Sequence, residues 1–292
     1  MAAAAAAEGE EEAPLEPVLP LEAENVAERK ELFDSIVGPD LDPDKVKKAS
    51  RDERQVAGQM DQTSLTYSEM DFDTVLKLLD KLRADFGPLY AGKGTFLDLG
   101  SGAGKVCLAA ALLHPFEKVV GIEVVHCLNE FAGGMKARYA EATFPEGMAK
   151  PELEFIKGDF VGEFQSKVEP LAAQVAVCLA AATCYDINQL QAMGKLAEAM
   201  PEGALFITLT QMLPKTILNH PQPEELLAPD SVGWVMVHSE PLEMLWGNCT
   251  CFVFKKVPPG TSGAPKQPAA EEPAAPEGGA EETAAEAPAA EN

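Results

Sequence analysis

Positive charge is scarce in this sequence. Its 292 residues hold 23 Lys and Arg against 47 Asp and Glu, a formal net charge of −24, so it lacks the broad cationic surface that binds nucleic acid by releasing counterions. Direct nucleic-acid binding is disfavoured on that ground. One local exception is expected, a basic patch from Lys45, Lys47, Lys48, Arg51 and Arg54, which lie close together in the chain. Long apolar runs are missing too. No stretch approaches the roughly 20 residues a membrane-spanning helix needs, so no membrane association is expected. The opening run from Met1 to Glu8 is too short for a signal-peptide core and too acidic for a transit peptide, which predicts a soluble protein of the cytoplasm or nucleus. Paired C-x-x-C spacing is absent from the six cysteines, at 107, 127, 178, 184, 249 and 251, so packed free thiols are expected and no metal site. Cys249 and Cys251 alternate along an apparent strand and share one face.

The two ends lack the apolar content to fold. Residues 1 to 24 carry seven Glu and no base, and residues 258 to 292 carry seven Glu and one Lys among Ala, Pro and Gly; neither buries enough surface to offset chain entropy. Both are expected to be disordered tails. What remains is still acidic and long enough for one α/β domain. The expected division is a helical extension and cofactor lid over 25–90 and a catalytic domain over 91–257.

Apolar spacing predicts a helix from Ala23 to Val37, stopped by Gly38-Pro39, then a polar stretch from Asp40 to Thr63, then a second helical stripe through Met70, Leu76 and Leu79. From Thr95 onward strands and helices alternate. Strands are predicted at 95–99, 118–122, 152–156, 174–179, 203–210, 234–238 and 249–256, and helices at 104–113, 126–142 and 186–200. The pattern is that of a Rossmann-like α/β fold: a seven-stranded, mostly parallel sheet. No helix separates the last two strands, so they should close the sheet with an antiparallel edge.

The segment Asp98-Leu-Gly-Ser-Gly-Ala-Gly104 follows a buried strand and opens a helix, and its alternate glycines let the backbone turn tightly beside a nucleotide-derived cofactor. A dinucleotide fingerprint needs glycine at position 105, which is Lys105; the G-x-G-x-G form of Gly100, Ser101, Gly102 and Gly104, with Asp98 ahead of it, points to S-adenosylmethionine (AdoMet). Asp98 would hold the methionine ammonium, directly or through water. Glu123, ending the next strand, would accept both ribose hydroxyls, or else be a solvated charge. Asp159 and Phe160, after the third strand, would read the adenine, or form an ordinary Gly-Asp turn.

Taken together, Thr63-Ser-Leu-Thr-Tyr-Ser-Glu69, the glycine segment, Gly121-Ile-Glu123, Gly158-Asp-Phe160 and Trp246-Gly247 resemble the disruptor-of-telomeric-silencing (Dot-one) family of histone-lysine methyltransferases, over roughly residues 60 to 256. The resemblance implies Tyr67 and Glu69 as cofactor contacts, a nucleosomal histone as partner and a nuclear location. Tyr67-Ser68-Glu69 also reads as the start of a helix with Ser68 as cap. Where the family has an Asn-Asn-Phe segment, this chain has Ala180-Ala-Ala-Thr-Cys-Tyr-Asp186, so the acceptor is left open among histone, another protein and a small molecule, with a non-catalytic scaffold as the remaining alternative. Thr183 and Tyr185, with Tyr67, are the candidate catalytic residues; Asp186 competes for the role of helix cap.

Overall fold

Hydrophobic alternation in this chain is worked out around one sheet. The computed structural model describes residues 16–87, 89–213, 233–244 and 247–258, and among them the strands are β1 (Thr95–Leu99), β2 (Lys118–Glu123), β3 (Glu152–Lys157), β4 (Val175–Ala180), β5 (Leu205–Leu209), β6 (Trp234–Met244) and β7 (Gly247–Lys256). They form a seven-stranded sheet in the order β3-β2-β1-β4-β5-β7-β6. β1 to β5 pair in parallel, and β7 runs antiparallel to both β5 and β6. The expected antiparallel edge is present. β1 is buried along its whole length, as a strand covered on both faces must be.

The helices divide between the faces. α1 (Ala23–Val37), α3 (Phe72–Asp85), α4 (Lys105–Leu113) and α5 (His126–Glu141) pack with Phe96, Val119 and Val177 on one side. On the other, α6 (Ile187–Ala199) places Met193, Leu196 and Ala197 against Leu97, Leu99 and Val120. Alternate residues of β1 therefore feed opposite cores, the period-two consequence of strand geometry.

Charged side chains clamp the N-terminal helices to the sheet layer through helix ends. Arg29 of α1 and Arg83 of α3 donate to the last carbonyls of α4, Leu112 O at 2.8 Å and Leu113 O at 2.9 Å. Arg138 of α5 returns the favour to α1, donating to Ile36 O at 2.5 Å and Val37 O at 2.9 Å. Each contact satisfies carbonyls that a helix leaves unpaired at its C-terminus, and each puts a cation at the negative end of the dipole.

Three expectations are corrected. The polar stretch after Asp40 contains a helix, α2 (Pro43–Val56). It was hidden because its buried stripe is Val46, Ser50 and Arg54, only one of them apolar, although Asp42 accepting the Asp44 and Lys45 amides and Pro43 in the first turn are standard start signals. Of the residues of the local basic patch, Arg54 is buried, while Lys45, Lys47, Lys48 and Arg51 are exposed along α2, Lys48 beside Asp52. Strand β6 runs on to Met244 through Pro241, which an edge strand tolerates because the missing N–H faces outward. Ser68 caps no helix; Asp71 does so for α3, accepting the Thr74 amide at 2.7 Å.

Within the span expected as an N-terminal tail, Pro17 bridges Tyr90 and α1 begins at Ala23. Residues 1–15, Trp246 and 259–292, on which other tail and motif expectations rest, lie outside the described residues.

Candidate cofactor and acceptor site

Parallel strands leave a crevice beyond their C-terminal ends where the chain order reverses, here between β1 and β4. A cavity of about 530 Å³ opens there, within the size range of cofactor sites. Its wall brings together Tyr67, Gly100, Gly102, Glu123, Asp159, Phe160, Thr183 and Tyr185. The sequence singled out each of these, from segments far apart in the chain.

The glycine turn is shaped by what presses on it. Gly102 has φ of 55° and a Cβ there would lie 2.5 Å from the Tyr67 ring; Gly104, with φ of 83°, opens α4, and its Cβ would lie 2.5 Å from the Phe155 ring. Neither the angle nor the space admits another residue. Glu123 is buried and binds the turn from below: one carboxylate oxygen accepts the Gly102 amide and the other the Val125 amide, each at 2.8 Å. Burial nonetheless pushes its carboxyl above the usual range. Each oxygen keeps a second lone pair for a ligand donor.

Asp98, Ser101, Gly104 and Glu69 stand off the cavity wall. Asp98, on β1, is buried behind it, and among the described residues its carboxylate accepts the Cys107 thiol of α4, at 3.8 Å. Burial, then the nearby Glu123 charge, raise it to about 7. Glu69 is held between the Tyr67 hydroxyl and Lys105, whose Nζ lies 2.8 Å away. Burial and the Glu69 charge push the Tyr67 phenol far upward, so it stays protonated and donates to Glu69.

On the side of β3, Phe160 is buried with its ring 5.5 Å from that of Tyr185. Asp159 accepts the Val161 amide at 2.9 Å, closing the turn and presenting its carboxyl on the wall. Beyond β4, Thr183, Cys184 and Tyr185 form the opposite lip. Tyr185 donates to Leu99 O at 2.5 Å, tying this lip to the start of the glycine turn. Asp186 caps α6 in a reciprocal box with Gln189, the structural alternative foreseen for it.

Sequence reasoning did not bring Lys47, Gln59 and Gln62 to the cavity wall, because α2, which carries the first and leads into the other two, went unseen. It also passed over Lys105 as a partner for Glu69. Their separation of 36 residues left no local signal, although a lysine opening a helix beside a glycine turn invites a search for its counter-ion.

The family model for histone methylation protein DOT1 matches residues 51–228. A histone-lysine N-methyltransferase specific for H3 lysine 79 from Caenorhabditis elegans is 34% identical over 100 residues, 34% of this chain and 10% of that protein. The chain thus spans about a tenth of the curated relative it matches. Among solved structures, the magnesium protoporphyrin IX methyltransferase of Synechocystis aligns at 16% identity over 72% of this chain and 99% of its own, with a TM-score of 0.44. An O-methyltransferase of tomaymycin synthesis from Streptomyces achromogenes aligns at 16% over 74% and 92%, with a TM-score of 0.42.

Proposed function

The chain belongs to the family of histone methylation protein DOT1, and from that membership we propose that it binds AdoMet in the cavity above β1 and β2 and methylates a histone lysine. The observation that carries this reading is the charge of the wall. Glu123, Asp159 and Asp186 line it with Lys47 as the one cationic side chain, a field that suits a sulfonium cofactor and a cationic acceptor segment and opposes phosphate-bearing ligands.

The residues present fit AdoMet. The positive-φ glycines and the Tyr67 ring form a cradle that added Cβ atoms would fill, Glu123 keeps free lone pairs, and Asp98 is a buried carboxylate short of partners. Glu123 would hold the ribose, Asp159 and Phe160 the adenine, and the Tyr67–Glu69–Lys105 cluster the methionine end, with the Asp98 charge favouring its ammonium. When bound, AdoMet supplies a methyl group to a nucleophile in line with its sulfur.

The chain's contribution to transfer is alignment and exclusion of water. Tyr67 and Tyr185 are both held protonated by burial, so neither is a ready base at neutral pH, and Asp186 is engaged as a helix cap by the amides of Asn188 and Gln189. A lysine amine, with a solution pKa of ~10.4, would lose its proton to solvent before entering, and Thr183 would orient it. A histone acceptor would put the protein in the nucleus as a chromatin regulator. The segment Ala180–Asp186 in place of Asn-Asn-Phe favours a second reading, with the same cofactor and another protein or a small molecule as acceptor.

Calorimetry with AdoMet, followed by radiolabelled methyl transfer to nucleosomes, free core histones and a cell lysate in parallel, tests the proposal. Label on histone that disappears with Asp98→Ala supports it. Label on another lysate protein alone shifts the acceptor to the second reading, and absence of AdoMet binding leaves only a scaffold role.

A further inference from the structure

Thr210, immediately after β5, has φ of 68° and is the one described non-glycine residue in the left-handed region. A β-branched residue there is a genuine outlier, and such a conformation persists only where surrounding contacts over-determine it. Those contacts are specific. The Thr210 amide donates to Thr250 O on β7 at 2.7 Å, and its Oγ1 hydrogen-bonds Oγ1 of Thr183 at 3.0 Å. The next residue, Gln211, donates from its side-chain amide to both Ala182 O and Tyr185 O, each at 3.1 Å.

The partners of the two side chains all lie on the lip after β4. That lip has only a single helical turn of its own, Ala182–Cys184, and its outward carbonyls are taken up by Gln211. Neither Thr210 nor Gln211 lines the cavity. Their contacts run from the antiparallel strand β7 through the strained residue to Thr183, and from Gln211 through Tyr185 to Leu99 beside the glycine turn.

We propose that Thr210 and Gln211 are positioning residues for the methyl acceptor, a brace that sets Thr183 and Tyr185 on the acceptor lip without touching the cofactor. This rests on the methyltransferase reading above. The strain at Thr210 is what lets one short turn present a hydroxyl to Thr183 and an amide to two carbonyls of the same segment. A relaxed backbone would send Gln211 in another direction.

Cys184 supplies a reporter independent of any acceptor, since it is exposed on the lip while the other described cysteines are buried or half-buried. Its reaction with a disulfide reagent is followed in the full chain, with Cys184→Ser identifying the labelled thiol. Gln211→Ala and Gln211→Glu, the second keeping the shape but lacking the donors, are expected to speed Cys184 about tenfold, as loss of buried hydrogen bonds would allow. Both should leave the calorimetric AdoMet Kd within about twofold of wild type. With tritiated AdoMet and core histones, the KM for histone should rise severalfold while that for AdoMet stays put. Unchanged thiol rates in both variants overturn the brace, as does a parallel loss of AdoMet affinity, which would mark a general structural role. An unchanged histone KM with a faster thiol overturns the positioning role. If the wild-type protein labels no histone, the acceptor reading fails by itself and the thiol rates with the AdoMet Kd decide the brace.

Discussion

Glu53 of α2 accepts the backbone amide of Cys127 at 2.7 Å, and its other carboxylate oxygen accepts that of His126 at 2.9 Å. These are the amides that open α5, whose own cap position, Val125, supplies no side-chain acceptor. One residue of the N-terminal extension thus caps a helix of the sheet layer, and it does so next to Glu123. The same helix carries Lys47, and the chain just beyond it carries Gln59 and Gln62, on the cavity wall. The α2 segment and the Glu123 side of the cavity are therefore joined by a cap.

Glu53→Ala should cost ~1 kcal/mol of stability, the usual worth of an N-cap, and should also weaken AdoMet binding because α2 is released. Thermal denaturation and calorimetry measure the two. Burial raises the Glu53 carboxyl, but the hydrogen bonds from Cys127 and His126 outweigh this and hold it below its ordinary value. Its contribution is accordingly present above the unfolded carboxyl range and lost as pH falls through the folded value. A stability loss in the variant that is as large at pH 3 as at pH 7 would contradict this.

Asp98 should give the opposite pH dependence. Its folded value of about 7 lies above the ~3.9 of an unfolded chain, so the folded protein holds this proton more tightly. Its contribution is fully favourable below pH ~4 and is lost as pH rises through the folded value. Asp98→Asn should then exceed wild type in ligand-free stability by ~4 kcal/mol at pH 8, with that advantage gone at pH ~4. Binding of cationic AdoMet to wild type should weaken from pH 8 to 6 as Asp98 protonates, with proton release detectable in buffers of different ionisation enthalpy. A flat pH profile would falsify the assignment.

Glu123→Gln leaves either the Gly102 or the Val125 amide facing a donor instead of an acceptor. An unsatisfied buried group costs ~1–3 kcal/mol, so the AdoMet Kd should rise at least about tenfold while circular dichroism stays native. Wild-type affinity in this variant would remove Glu123 from the site.

Gly102→Ala puts a methyl group against the Tyr67 ring at a φ of 55°. It should weaken AdoMet binding strongly on its own and much less in a Tyr67→Ala background, where only the backbone strain remains. A double-mutant cycle on binding measures this coupling, expected at ~1 kcal/mol or more for residues in contact. Strict additivity would show that the ring does not set the turn.

Much of this was legible in the chain. The β1–glycine–α4 unit follows from a buried run ending in Asp98, three alternate glycines and an apolar helix, all local signals, and the absence of glycine at Lys105 removed the dinucleotide alternative. The antiparallel edge followed from two strands with no helix between them. Cys249 and Cys251 are buried on one face of β7, as alternation required. α2 escaped because two of its three buried residues are polar, and the far half of β6 because Pro241 reads as a strand end unless the strand is known to be an edge.

Sequence by itself therefore determined the fold class and the segments that carry the site, because strand and helix periods, glycine turns and cap residues act over a few positions. Tertiary structure alone decided which side chains meet. It moved Asp98 and Glu69 behind the wall, paired Glu69 with Lys105, sent Glu53 to the start of α5 and braced the lip at Thr183 from Thr210 and Gln211. Those contacts join residues 26 to 74 positions apart. No local pattern encodes them, since they arise only when the sheet order brings the strand ends side by side.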